Sequence, residues 1–163
     1  MKNALTILLL TSLLIAACEP TASQLEQTPT EVAETYTWAK YGLSFEIPEG
    51  LVVSDHNFVD ALLLDEKDLS NFEGDYLGQI TIRPETESSI EAVIEKYSTE
   101  QDFAQEVVSK NGKTYTYLSY YSQFADYDAE LYLVESNGVV YSVAKTWTGT
   151  QEDLDLILET LSF

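Results

Sequence analysis

The chain holds one cysteine and one histidine among its 163 residues. A lone cysteine has no partner for an internal disulfide, and with a single histidine it falls short of the four ligands of a structural zinc site. Basic residues are scarce too: 8 Lys and Arg stand against 28 Asp and Glu, a formal charge of −20. Such a polyanion repels phosphate backbones, which excludes nucleic acid as a partner. There is no Gly-x-Ser-x-Gly elbow to support a serine nucleophile, and after Ala17 there is no apolar run of the roughly 18 residues of a membrane-spanning helix. Apolar residues at 45% and charged residues at 22% are nevertheless ordinary for a folded domain.

What is present begins at the amino terminus. After Met1-Lys2-Asn3, Ala4 to Ala17 run apolar apart from Thr6, Thr11 and Ser12. As a helix this run would measure about 21 Å, short of a hydrocarbon core of about 30 Å, so residues 1–17 read as a signal peptide. It ends in Leu14-Ile15-Ala16-Ala17-Cys18, which resembles the lipobox of bacterial lipoproteins: an aliphatic residue, two small residues, then cysteine. The resemblance implies a diacylglyceryl group on the Cys18 thiol, cleavage before it, and acylation of the new amino terminus by a chain such as palmitate. Two or three such chains, at about 0.8 kcal/mol per buried methylene, anchor a protein almost irreversibly. The expectation is a lipid-anchored protein outside the cytoplasm, on the cell membrane or an outer membrane. An ordinary secretory signal with Cys18 incidental is the alternative.

Residues 18–35 read as a flexible acidic linker, since Glu19 to Thr35 carries two prolines, four glutamates and no aromatic residue. All 19 aromatic residues lie from Tyr36 onward, so residues 36–163 are expected to form a single domain. Leu43, Phe45 and Ile47 alternate with Ser44 and Glu46 as in a half-buried strand, and further strands are expected at 58–64 and 76–83. Ser88 or Ser89 would cap a helix with Ile90, Val93, Ile94 and Tyr97 on one face. Asn111-Gly112 and Asn137-Gly138 suit type I′ turns and predict a meander of strands at 105–110, 113–123, 129–135 and 139–147, with Asp126-Tyr127-Asp128 as the intervening turn. Thr150 would cap a last helix whose Leu154, Ile157, Leu158 and Leu161 form its buried stripe.

This order predicts an α+β fold, an antiparallel sheet of six to seven strands packed by two or three helices. Two segments resemble PsbP-like domains: Tyr41-Gly42-Leu43-Ser44-Phe45-Glu46-Ile47-Pro48-Glu49-Gly50 is similar to that family's opening aromatic-Gly-aliphatic-Ser-Phe-x-x-Pro strand, and Leu158-Glu159-Thr160-Leu161-Ser162-Phe163 to its close. The resemblance implies a sandwich on a central antiparallel sheet and a binding or assembly role. It carries over no ligand residues, and Leu51 stands where the family often has an aromatic residue.

Among candidate sites, Asp126, Asp128 and Glu130 are spaced by two and would present oxygen ligands for Ca²⁺ on one strand face. The alternative is an acidic turn, since the glycine and distal glutamate of an EF-hand loop are missing. Asp65-Glu66-Lys67-Asp68 with Glu73 and Asp75 is a second acidic group, and His56 is the only imidazole for acid–base work, in what reads as a turn. Tyr115, Tyr117 and Tyr121 share one strand face and would form a ligand-binding platform for glycans or peptides; cross-strand pairing within the sheet is the alternative. Trp38 and Trp147 are expected in the core. These features predict a lipid-anchored, non-catalytic binding or assembly module with an envelope protein or glycan as partner. A glycan hydrolase using two carboxylates and a calcium-responsive domain are the alternatives.

Overall fold

The computed structural model describes residues 33–56, 60–71, 77–123 and 125–163. The signal peptide, Cys18 and most of the linker lie outside the described residues, as do Phe58, Glu73, Asp75 and Tyr76. Among the described residues there are nine strands and two helices: β1 Thr35–Trp38, β2 Leu43–Glu46, β3 Val52–His56, β4 Ala61–Asp65, β5 Ile80–Pro84, α1 Ile90–Tyr97, β6 Gln101–Lys110, β7 Lys113–Ser122, β8 Tyr127–Ser136, β9 Val139–Lys145 and α2 Gln151–Thr160. Seven strands form one antiparallel sheet in the order β3-β4-β5-β9-β8-β7-β6, and β1 pairs with β2 as a separate hairpin. The fold is α+β, as the alternation of patterns predicts.

The meander follows from its turns. Asn111 and Gly112 lie at φ 46° and 77°, Asn137 and Gly138 at 53° and 76°, the left-handed pairs that a type I′ turn requires. Ser89 caps α1 by accepting from the Ala92 amide at 3.2 Å, and Thr150 caps α2 by accepting from Asp153 at 3.1 Å. Three expectations are corrected. His56 belongs to β3, paired with Ala61, not to a turn. Tyr127 and Asp128 begin β8, and only Asp126, at φ 56°, belongs to the turn before it. Thr35, expected in the linker, begins β1 and pairs with Glu46.

The strand period of two sends alternate side chains to opposite faces, and each face has its own core. On one face α2 packs Leu154, Ile157 and Leu158 with Leu62, Ile82, Tyr115, Tyr132, Tyr141 and Val143, and the hairpin adds Trp38, Leu43 and Phe45. The chain end closes this layer, since Ser44 and Ser162 exchange backbone hydrogen bonds at 2.9 and 2.7 Å. The segment that opens the domain and the segment that closes it are thereby joined. On the other face α1 packs Val93 against Leu118, Leu131, Leu133 and Val140. Among the described residues, α1 is the helix packed on that face, and it covers the face only in part.

Candidate functional site

The uncovered part of the α1 face holds a groove. Its floor is made of small side chains, Ala129 on β8 and Ser142 and Ala144 on β9, and taller neighbours stand around them: Arg83 on β5, Tyr120 on β7 and Tyr127 on β8. The strand register brings these together, because Arg83 lies opposite Ser142, Ala129 opposite Tyr120 and Ser122 opposite Tyr127. The cavity measures about 190 Å³. A second, of about 220 Å³, adjoins it and shares Leu77, Ala125 and Tyr127 while adding Trp147.

Arg83 is the only arginine in the chain. Its Nε donates to Glu85 at 3.2 Å and its Nη2 to the Tyr97 hydroxyl at 3.2 Å, while its side chain stays 41% exposed. The Glu85 carboxylate is only 2% exposed; Ser142 Oγ donates to it at 2.6 Å and Lys96 at 3.4 Å. Burial works against the Arg83 charge, but its anionic and phenolic neighbours, Glu85 first, hold its pKa above the ordinary value. Tyr97 and Tyr120 stack with ring centres 4.9 Å apart. Burial, then the neighbouring Tyr97, pushes the Tyr120 phenol upward. Burial likewise raises Tyr127, although Arg83 pulls the other way. The groove therefore presents Tyr120 and Tyr127 as neutral phenols beside the Arg83 cation.

At its far end Trp147 is 83% exposed and Leu77 48% exposed, which corrects the expectation that Trp147 lies in the core. The turn carrying Trp147 is firmly held: the Thr146 amide donates to Gln79 O at 2.8 Å, and Thr146 Oγ1 to Gly78 O at 2.9 Å. Gly149 lies so near this segment that a Cβ there would sit 2.4 Å from Gln79 O.

The residues singled out from sequence lie elsewhere. Tyr115 is 1% exposed beneath α2 and donates to Leu158 O at 2.6 Å, so it offers a ligand no surface. Tyr117 donates to Glu130 at 3.1 Å, and Tyr121 donates to Asp126. Tyr115 and Tyr117 pack into the core beneath α2 and the hairpin, while Tyr121 lies outside that core, so the three do not form one open platform. Of Asp126, Asp128 and Glu130, Glu130 accepts from Tyr117 and lies 3.3 Å from Lys145, and Asp126 accepts from Tyr121. Among the described residues no group of three or more His, Cys, Asp or Glu side chains is placed to hold a metal ion. Of the Asp65 group, Asp68 accepts from Ser54 at 3.0 Å and from the Ser70 amide at 2.8 Å, a local turn arrangement. A wide depression beside α2 is lined by Glu49, Glu152, Asp153, Asp155 and Glu159, but Asp155 is paired with Lys110 at 2.9 Å and Asp153 with its own cap Thr150. Sequence reasoning missed Arg83 and the tyrosines of the opposite parity, Tyr120 and Tyr127. A signal was present, the sole arginine of an acidic chain at an alternating strand position.

No family model and no curated protein matches the chain. Among solved structures, one from Bacteroides thetaiotaomicron VPI-5482 is similar with a TM-score of 0.46 at 10% identity, over 80% of this chain and 48% of that one. The chain thus spans about half the length of that protein. Among the described residues no helix is long and apolar enough to cross a membrane.

Proposed function

We propose that this protein is a non-catalytic binding module of the cell envelope, anchored by lipid on Cys18 and meeting its partner at the groove on the α1 face. The observation that carries the reading is the exposure of Trp147 and Leu77 at the mouth of a groove that also holds the only arginine. A large indole left in water on a braced turn is costly for solubility and useful for recognition, where Trp and Arg supply much of the binding energy. The run Leu14-Ile15-Ala16-Ala17-Cys18 supports the anchor, and the acidic segment after it supports a domain held away from an anionic bilayer. The bonded pair of opening and closing segments supports a PsbP-like sandwich as the scaffold.

Two experiments test the reading. Fractionating cells that make the Cys18→Ser variant should find the protein released or unprocessed; retention on membranes at normal size contradicts the anchor. Formaldehyde crosslinking in the native envelope, followed by purification, should recover a defined partner with the parent chain and lose it with Trp147→Ala. Equal recovery with both contradicts the groove.

A further inference from the structure

We infer that the groove takes a single carboxylate joined to an apolar, residue-sized group, with the Arg83 guanidinium as its anion contact; the inference rests on the groove being the binding surface. Guanidinium groups carry five N–H donors in a rigid fork suited to carboxylates. In Arg83 one edge is committed, Nε to Glu85 and one Nη2 hydrogen to Tyr97, and the remaining donors have no hydrogen-bond partner among the described residues. Glu85 does not compete from the groove. It is buried, Oε1 accepts from Arg83 and Ser142, and Oε2 from Lys96. Its effect is to fix the guanidinium and leave the outer edge available, which makes it a positioning residue.

Four lysines are held in ion pairs of their own: Lys40 with Asp60, Lys96 with Glu85 and Glu87, Lys110 with Asp155, Lys145 with Glu130. Among the described residues, Glu85 is shared between Arg83 and Lys96, and the Glu130 that lines the cavity is paired with Lys145, so these carboxylates are already matched by cations. A chain of charge −20 disfavours a dianion at any surface, which selects one carboxylate over a phosphate. The walls select the rest of the ligand: Tyr120, Tyr127 and Leu77 are apolar along their length, over a floor of Ala129 and Ala144. The part of the groove beside Arg83 measures about 190 Å³, below the roughly 300–1,000 Å³ of pockets for drug-sized ligands, which suits a residue-sized group next to the guanidinium.

The test is a chemical-shift titration of the purified full chain in detergent with N-acetyl-L-phenylalanine, its amide and D-glucuronate. The acid should saturate, with the amide and glucuronate each at least about tenfold weaker. Arg83→Gln should weaken the acid by about ten- to a hundredfold, and Arg83→Lys by less, since it keeps charge but not the fork. Because Arg83→Gln strips a partner from buried Glu85, the exposed groove position Ala125 provides a second route: Ala125→Glu should weaken the acid several-fold more than it weakens the amide, and that excess should fade near 1 M salt. Equal binding of acid and amide, tighter binding of glucuronate, no binding of any probe, or unchanged affinity in both Arg83→Gln and Ala125→Glu would each overturn the inference. Trp147-dependent crosslinking with any of these outcomes removes the carboxylate and leaves the groove as a binding surface, whereas loss of that dependence removes the surface itself.

Discussion

The two faces of the seven-stranded sheet are built from the same strands yet finished differently. One receives α2, the β1–β2 hairpin and the chain end, and its tyrosines become core: Tyr115, Tyr132 and Tyr141 are buried with Leu154, Ile157 and Leu158. Among the described residues the other receives the eight residues of α1, and beyond that helix Tyr120, Tyr127 and Arg83 line a groove. The same residue type is therefore structural or available for recognition according to which layer covers it. The closed face holds the larger core, and the other face pairs a smaller core with a groove.

The contrast breaks first at the closed face. Leu158→Ala empties a fully buried site beneath α2 and should lower unfolding free energy by about 2–5 kcal/mol in chemical denaturation, whereas Val93→Ala under α1 should cost about 1–3 kcal/mol. Equal costs would mean the two layers are equally consolidated. Gly149→Ala forces a methyl against the Gln79 carbonyl and should destabilise by about 1–3 kcal/mol, shifting Trp147 with it; an unchanged melting temperature would show that the turn is loose.

Tyr115→Phe is subtler. Burial pushes the Tyr115 phenol up to about 12 from an ordinary 10.0. Between those values the unfolded chain gives up the proton and the folded chain keeps it, so stability is full below pH 10 and falls as pH rises toward 12. The phenylalanine variant should lose about 1 kcal/mol near neutrality, where Leu158 O loses its donor, and show a shallower alkaline decline. An identical decline in both proteins would mean that Tyr115 ionises as freely folded as unfolded. The smallest effect is expected at the open face, where Trp147→Ala should change stability by less than about 0.5 kcal/mol.

Local chemistry explains what the sequence makes legible. Asn-Gly pairs, the caps Ser89 and Thr150 and the stripes of α1 and α2 are decided within a few residues, and each stands where expected. β3 was missed because Ser54-Asp55-His56 reads as a turn, and its strand geometry comes from pairing with the buried run of β4. Alternation showed that Tyr115, Tyr117 and Tyr121 share a face but not what covers it, since the hairpin that does so is about 80 residues away. Trp147 drew the usual expectation for a large aromatic residue, yet it follows the last sheet residue Lys145 and projects from a turn braced by Gln79. The groove depends on small floor residues contributed by β8 and β9 meeting Arg83 of β5, a nonlocal pattern that no single window contains.

Site-specific photo-crosslinking in the native envelope tests the central claim most directly, with the reactive residue placed at Trp147 on the open face and, in a second protein, at Leu156 on α2 of the closed face. A discrete adduct from position 147 that the Ala125→Glu change diminishes, with none from position 156, is the result expected. Adducts from position 156 alone, or equally from both, would show that the open face is not where this protein meets its partner.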